Sequence, residues 1–97
     1  MREYCVYILR CNDGSFYTGF TSDLEKRVSQ HHEGVFKQCH TYGRRPVELV
    51  YLETFHNTND AISREKQLKK WSRAKKAALI KGEYEHLSKY AKKVFLH

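Results

Sequence analysis

The stretch YCVYILRCNDGSFYTGF, residues 4–20, predicts a β-hairpin that decides the fold of this chain. Tyrosine, valine, isoleucine and leucine dominate residues 4–11 without a breaker, as is typical of a strand. Asn12-Asp13-Gly14 has the composition of a turn, and residues 16–20 are strand-like again. The chain therefore opens with two strands that pair through a short loop.

Loop length decides where the two tyrosines of this hairpin point. A two-residue Asp13-Gly14 loop places Tyr7 and Tyr17 on opposite faces of the sheet. A three-residue loop, with Gly14 left-handed, pairs Tyr7 with Gly19 and puts both phenols on one face, about 7–8 Å apart at the backbone. We favour the three-residue loop, in which both phenols share one face of the sheet.

A first helix is predicted between the hairpin and Gly34. Ser22-x-x-Glu25 has the pattern of a capping box, in which the hydroxyl and the glutamate bind free backbone N–H groups. Leu24 and Val28 form the inward stripe of this helix. Arg27 and His31 are four residues apart, so we expect them on one face of the helix, separate from that stripe.

The remainder of the chain predicts one strand and further helices. Residues 35–46 are irregular and basic, residues 47–55 are strand-like, and helices are expected at about 60–70 and 73–81. Ser72 is the expected N-cap of the latter helix and Gly82 its C-terminal stop. Residues 1–97 therefore predict a single α+β domain, with a core at about 4–82 and a basic helical tail at 83–97. Its three-stranded sheet is flanked by helices, in the order β-β-α-β-α-α.

The charge of the chain predicts an anionic partner. Lysine and arginine total 18 against 11 aspartate and glutamate, a net charge of +7, and nucleic acid is the first candidate. The basic residues that we expect to contact it are Arg44, Arg45, Lys69, Lys70, Arg73, Lys75 and Lys76. No apolar run reaches the roughly 20 residues that cross a bilayer, and no signal peptide is recognisable, so we expect a cytoplasmic protein without a membrane partner. Three cysteines without a C-x-x-C spacing argue against a disulfide framework, and Cys5 is expected in the core.

Two sets of residues suggest metal binding. Glu65 lies four residues after Ala61 and three before Leu68, so its carboxylate falls within the helix stripe that should face the sheet. A buried acid is costly without a partner, a metal or a raised pKa. His31, His32, Cys39 and His40 also suit zinc, but their spacing matches no common zinc site and the loop is basic, which disfavours a cation.

The ordered set of these residues resembles the GIY-YIG nuclease superfamily, and in particular its small stand-alone bacterial members, the YhbQ-like group. The first motif stands here as Cys5-Val6-Tyr7 and the second as Tyr17-Thr18-Gly19. Both keep the tyrosine, although other residues replace the glycine and isoleucine of the first motif and the isoleucine of the second. The family's helix arginine falls on Arg27, a histidine follows at His31, and the metal-binding glutamate falls on Glu65.

The resemblance implies a hydrolase that cleaves DNA phosphodiester bonds with a single Mg²⁺ or Mn²⁺ ion. Glu65 would anchor the metal and Arg27 would clamp the scissile phosphate. Tyr7 would help to deprotonate the attacking water, with His31 accepting the phenolic proton. Tyr17 would either orient the phosphate or pack beside Tyr7.

Two other functions stay open at this point. The chain could be a nucleic-acid-binding module that keeps the scaffold and the basic face with weak or no catalysis. It could also be a metal-binding or protein-interaction domain, in which case changes at Arg27 would not affect its binding. We expect a monomer acting on DNA, with branched, nicked or damaged forms as candidate substrates, and leave open targeting by a partner protein.

Overall fold

A computed structural model describes residues 3–82 and shows a three-stranded antiparallel sheet with helices packed on both faces. The strands are β1 (Tyr4–Arg10), β2 (Phe16–Thr21) and β3 (Glu48–Phe55), in the spatial order β2-β1-β3. The predicted α+β class and the order β-β-α-β-α-α are confirmed. The predicted helical tail from residue 83 lies outside the described residues.

The hairpin closes through the three-residue loop that the sequence favours. Tyr7 pairs with Gly19 across β1 and β2. The Cys11 N–H donates to the Ser15 carbonyl at 2.8 Å, and the Gly14 N–H donates to the Cys11 carbonyl at 2.9 Å. Gly14 has a φ of 83°, the left-handed conformation that a side chain disfavours. The register prediction is therefore confirmed.

The first helix, α1, covers Leu24–Glu33. It begins one residue later than a helix capped by Ser22 would begin. Asp23 is the N-cap, and its carboxylate accepts the Lys26 N–H at 3.2 Å. The prediction of a capping box at Ser22 was wrong. Thr21 Oγ1 accepts the Asp23 N–H and thereby fixes Asp23, not Ser22, in the capping position. Gly34 ends α1 in a left-handed conformation, as predicted.

The later helices are capped by polar side chains. Helix α2 (Thr58–Lys69) has Asn57 as its N-cap and so begins earlier than the predicted residue 60. Helix α3 covers residues 73–82 of the described part of the chain. It follows Ser72, the predicted N-cap, whose Oγ accepts the Lys75 N–H at 3.2 Å. The predicted stop at Gly82 was wrong, because residue 82 is still helical and is not among the described glycines with positive φ.

The core has two halves, because successive side chains of β1 point to opposite faces of the sheet. We call them the α1 face and the α2 face. The α1 face buries Cys5, Tyr7, Leu9, Leu24 and Val28. The α2 face buries Val6, Ile8, Val50, Ala61 and Leu68, with Leu79 and Ile80 of α3 packed against them.

Two further predictions concern the cysteines and the absence of a membrane-spanning segment. Cys5 is buried as predicted, and all three cysteines are free thiols. Among residues 3–82, no helix is both long enough and apolar enough to span a membrane.

Candidate active site

Tyr7 and Tyr17 lie side by side on the α1 face, as the loop length requires. Their ring centroids are 6.4 Å apart, and Tyr7 is completely buried. Gly19, opposite Tyr7, leaves the space that the phenol fills, because a Cβ at this position would collide with the Tyr7 ring and hydroxyl. The second motif therefore needs its glycine for room around Tyr7.

His31 lies in the protein interior, in contact with both tyrosines. The Tyr7 hydroxyl is 3.0 Å from His31 Nε2, and the imidazole is only 2% exposed. The centroid of its ring is 5.1 Å from that of Tyr17 and 5.0 Å from that of Phe36. Three aromatic rings thus surround the imidazole, and its two nitrogens form hydrogen bonds within the protein.

The predicted separation of His31 from the apolar stripe of α1 was wrong. Leu24, Val28 and His31 are the buried residues of this helix, at spacings of four and three that place them on one stripe. Arg27 is half-buried beside that stripe, with its guanidinium carbon 5.4 Å from the centroid of the Phe36 ring. The histidine is polar and was therefore not counted as a core position.

Burial and nearby charges set the protonation states of Tyr7 and His31. Burial and the nearby charge of Arg27 lower the pKa of His31 to about 4, so the imidazole is neutral at pH 7. Burial, with a contribution from Tyr17, raises the pKa of Tyr7 well above its ordinary value, although Arg27 acts in the opposite direction. A protonated phenol therefore faces an imidazole with one free lone pair.

Two residues of the 35–46 loop complete the site, although neither was predicted to act there. Thr41 Oγ1 lies 2.9 Å from His31 Nδ1 and donates to Cys39 Sγ at 3.4 Å. Burial raises the pKa of the Cys39 thiol, but hydrogen bonds from Thr41, Tyr17 and the His40 backbone outweigh it, so the net pKa is lowered. For Cys39 the only signal in the sequence was its closeness to histidines, which suggested zinc, and for Thr41 there was none.

The structure does not support that zinc site. His32 Nε2 lies 3.0 Å from the Val47 carbonyl, and His40 Nε2 lies 2.7 Å from Ser15 Oγ, so the two imidazoles are engaged apart from His31. Within residues 3–82, no group of three or more histidine, cysteine, aspartate or glutamate side chains could hold a metal. The thiol and the buried imidazole instead belong to one hydrogen-bonded chain.

Glu65 lies on α2, which packs on the other face of the sheet from Tyr7 and Tyr17. Its side chain is 18% exposed, which agrees with the inward position predicted for it. Burial, hydrogen bonding to Cys39 and the Glu65 charge together raise the pKa of Tyr17 to about 12. Tyr17 lies on β2, which is an edge strand of the sheet. A side chain of α2 can therefore approach Tyr17 around that edge without crossing another strand.

The carboxylate of Glu65 suits one kind of metal site. It already pairs with Lys69, one turn along α2, at 3.3 Å. A single carboxylate cannot enclose a cation, but Mg²⁺ is commonly held by one or two carboxylates, several waters and the phosphates of a substrate. Lys69 is half-exposed, so solvent screens its attraction to Glu65 and makes it a weak competitor for a metal ion.

The seven basic residues predicted to bind nucleic acid fall into two groups. Arg44 pairs with Asp13 at 3.0 Å, and the Arg45 guanidinium carbon lies 4.9 Å from the centroid of the Tyr42 ring, so both are partly used within the protein. The second group lies on α2, on α3 and between them, and comprises Lys69, Lys70, Arg73, Lys75 and Lys76. Within it, Arg73 covers the Phe16 ring, and burial together with Lys69 lowers the pKa of Lys76.

Comparison with known proteins identifies a family. The model of the GIY-YIG catalytic domain matches residues 3–78. A UPF0213 protein of Clostridium perfringens is 45% identical over 91 residues, covering 94% of this chain and 97% of that protein. A UPF0213 protein of Syntrophus aciditrophicus is 44% identical over 87 residues, covering 90% of this chain and all of that protein.

Solved structures agree with this match. The solution structure of a UPF0213 protein from Bacillus halodurans is 36% identical, with a TM-score of 0.59 over 93% of this chain and 95% of that one. A solution structure from Enterococcus faecalis is 34% identical, with a TM-score of 0.60 over 90% of each chain. The chain therefore belongs to the GIY-YIG superfamily, among the UPF0213 proteins, and carries the catalytic domain of that family.

Proposed function

We propose that this chain is a metal-dependent endonuclease that hydrolyses phosphodiester bonds of DNA. The observation that carries the proposal is the buried hydrogen bond, 3.0 Å long, between the Tyr7 hydroxyl and His31 Nε2. A phenol is a poor base unless another group takes its proton, and a neutral imidazole at hydrogen-bonding distance can do so. The pair therefore provides a route for removing a proton from water.

The protons of the reaction can be followed through this pair. The oxygen of a water molecule attacks phosphorus while its proton passes to the Tyr7 oxygen. The phenolic proton passes at the same time to His31 Nε2, so Tyr7 ends the step neutral. The bond from phosphorus to the leaving oxygen breaks, and that oxygen takes a proton from solvent.

Arg27 would bind the scissile phosphate and adjust the basicity of His31. Its positive charge is one cause of the low pKa of His31 in the free protein. A phosphate bound to the guanidinium would offset this charge, so the pKa of His31 would rise as the substrate binds. The imidazole would thus become a better proton acceptor when it is needed.

Glu65 would hold a single Mg²⁺ or Mn²⁺ ion together with solvent and the phosphate. Such a site binds its ion weakly until the substrate supplies further oxygen ligands. When bound, the ion would stabilise negative charge on the leaving oxygen. Tyr17, whose pKa the Glu65 carboxylate helps to raise, would remain a neutral phenol that orients the phosphate.

Affinity for DNA would come from the basic residues outside the catalytic pocket. We propose phosphate contacts for Arg44, Arg45, Lys69, Lys70, Arg73, Lys75 and Lys76, within a single domain that acts as a monomer. Contacts of this kind make binding fall steeply with salt and carry little sequence information. Branched, nicked or damaged DNA is the proposed substrate class, because such forms offer shape where a small domain has few side chains to recognise a base sequence.

A second candidate function is DNA binding without cleavage. The observation that favours it is the ion pair between Glu65 and Lys69, which gives the carboxylate a structural partner without any metal. If that pair persists with DNA bound, the scaffold would bind but lack its metal ligand. Cleavage assays separate this candidate from the nuclease.

The decisive experiment measures cleavage and binding together on supercoiled, single-stranded and branched DNA, with Mg²⁺, with Mn²⁺ and with chelator. Glu65→Gln is compared with Glu33→Gln, an exposed acid on α1, and Arg27→Gln with Lys26→Gln, its exposed neighbour. We expect metal-dependent cleavage that falls by about 100-fold or more in Glu65→Gln and Arg27→Gln, since each removes a group that stabilises the transition state. The two control variants should cleave as the wild type does.

Two results would contradict the nuclease. Residual cleavage that is equal in the wild type and in both site variants indicates a contaminating enzyme. Salt-sensitive binding with no cleavage of any of the three DNA forms, in either metal, supports the binding module instead.

A further inference from the structure

Thr41, in the 35–46 loop, carries a buried hydroxyl that lies beside His31. It is 1% exposed, and its Oγ1 lies 2.9 Å from His31 Nδ1 and 3.4 Å from Cys39 Sγ. The residue lies in the irregular 35–46 loop, so no repeating pattern in the sequence places it there. Its position is nevertheless fixed by contacts on both sides.

The hairpin turn holds this loop in place. The Asn12 N–H donates to the Arg44 carbonyl at 2.8 Å, and the Arg44 side chain pairs with Asp13 at 3.0 Å. Thr41 itself accepts the Arg44 N–H on its carbonyl at 3.1 Å. These bonds tie Thr41 to the turn between β1 and β2, and therefore to the strand that carries Tyr7.

One set of directions for the hydrogen bonds in this chain follows if the Thr41 hydroxyl donates to Cys39 Sγ, as the geometry favours. A threonine hydroxyl has one proton, and that proton is donated to Cys39 Sγ. Thr41 Oγ1 must then accept from His31 Nδ1, which therefore carries the single proton of the neutral imidazole. Nε2 is left with a free lone pair, and the Tyr7 hydroxyl donates to it.

The opposite arrangement would disable the site. If Thr41 donated to Nδ1, the imidazole proton would be on Nε2 and would be donated to the Tyr7 oxygen. His31 could not then accept the phenolic proton, because its Nε2 would have no free lone pair. The acceptor at Cys39 favours the productive direction, since it gives the Thr41 proton a partner away from the imidazole.

We propose that Thr41 is a positioning residue that holds His31 in its Nδ1–H tautomer, with Nε2 free to accept the proton of Tyr7. The proposal deepens the proposed nuclease function, and its catalytic consequence rests on that function. The tautomer itself does not, and it can be measured without any substrate. Thr41 acts through His31 and does not contact the reacting atoms.

The test compares Thr41→Val, which loses the hydroxyl, with Thr41→Ser, which restores it. Thr18→Val is the matched control, because Thr18 is also buried but its hydroxyl has no partner among the described residues, and its side chain lies on the α2 face. Two-bond proton–nitrogen NMR spectra of ¹⁵N-labelled protein report which ring nitrogen carries the proton. The signal of His31 is assigned by its loss in His31→Gln.

We expect the Nδ1–H tautomer in the wild type, in Thr41→Ser and in Thr18→Val, and a mixed or Nε2–H population in Thr41→Val. Cleavage by Thr41→Val should fall by about 10- to 100-fold in kcat with little change in KM, the range typical when a partner that orients a functional imidazole is lost. Thr41→Ser should recover most of that rate. A fold check by circular dichroism accompanies each variant.

The inference and the proposed function fail in distinguishable ways. An Nε2–H tautomer in a wild-type protein that cleaves DNA overturns the role of Thr41 and leaves the nuclease intact. An unchanged tautomer in a folded Thr41→Val also overturns it. If the wild type does not cleave but the tautomer responds to Thr41→Val as expected, the positioning role stands and the nuclease fails.

Discussion

The two faces of the sheet are built from the same strands but do different work. On the α2 face, Val6, Ile8 and Leu68 form an apolar half-core with few polar groups. On the α1 face, Tyr7, His31 and Thr41 are equally buried but form a chain of hydrogen bonds within the apolar residues. One face is an ordinary apolar half-core, and the other buries the polar groups on which the proposed chemistry depends.

The difference shows why a buried polar network can be maintained in so small a domain. Each buried polar group costs free energy unless it is hydrogen-bonded. Every member of the Tyr7–His31–Thr41–Cys39 chain has a partner, so the α1 face avoids that cost. Stability should therefore depend most on the apolar α2 face, and activity most on the hydrogen-bonded chain of the α1 face together with Glu65 of α2.

The largest effect on stability is expected from Leu68→Ala on the α2 face. Leu68 is completely buried against the sheet, so truncation loses buried apolar surface and leaves a cavity. We expect the free energy of unfolding to fall by about 3 kcal/mol. Urea denaturation measures this change, and Leu79→Ala, a partly buried position on α3, is the control that should lose less. A loss below that of Leu79→Ala would contradict the role given to this face.

A matched pair of tyrosines separates the two faces most cleanly. Tyr7→Phe removes the hydroxyl that is hydrogen-bonded to His31 Nε2, whereas Tyr51→Phe removes one that binds Glu53 on the α2 face. We expect Tyr7→Phe to lower kcat by about 100-fold, and Tyr51→Phe to leave cleavage within about twofold. Each should change the free energy of unfolding by only about 1 to 2 kcal/mol. Equal losses of activity in the two variants would show that the faces are not specialised.

The fold could be predicted from the sequence largely because the hairpin is governed by local chemistry. Asn12-Asp13-Gly14 limits the loop to two or three residues, and once the length is chosen the period of two fixes which face each tyrosine takes. The error at Ser22 is of the same local kind, because Ser22 and Asp23 are both good caps and only the Thr21 hydroxyl decides between them.

The candidate site was harder to predict, because it depends on contacts distant in sequence. His31 is polar, so the apolar stripe of α1 was assigned without it, although its spacing from Val28 fits. Thr41 and Cys39 lie in a loop with no periodicity, and only the bonds from that loop to the hairpin turn bring them to His31. Glu65 was predictable, since its helix stripe alone places it inward.

Acid should destabilise the α1 face before it affects the rest of the fold. The pKa of His31 is about 4 in the folded protein and 6.5 ordinarily, so between these values the unfolded chain binds more protons. Stability is then fully present above pH 6.5 and decreases as the pH falls toward 4. Between pH 7 and 4.5 we expect a loss on the order of 2 kcal/mol. Urea midpoints measured across this range should vary much less in His31→Gln, and an equal variation would assign the loss to other groups.

Arg27 should control the pKa of His31 even without DNA. Its charge lowers that pKa, after burial, in the folded protein. Arg27→Gln should therefore raise the pKa of His31, and NMR titration of the imidazole measures the change. Lys26→Gln removes the same charge from an exposed position and should leave the titration almost unchanged. If the two variants give the same shift, the effect is one of net charge and the proposed coupling to bound phosphate loses its basis.

The smallest expected effect lies on the α2 face, and its sign is opposite to that of the others. Thr18 Oγ1 is buried without a hydrogen-bond partner among the described residues, so the hydroxyl costs free energy that the polar chain of the α1 face avoids. Thr18→Val should raise the free energy of unfolding by about 1 kcal/mol, because valine leaves no polar atom unsatisfied and suits a strand. Thr41→Val, the same substitution on the other face, should lower it by a similar amount, since His31 Nδ1 and Cys39 each lose a partner. Urea denaturation of both variants measures the two changes in the free energy of unfolding. Changes of opposite sign would establish that the Thr41 hydroxyl stabilises the protein through its hydrogen bonds, whereas changes of the same sign would remove the distinction between the faces.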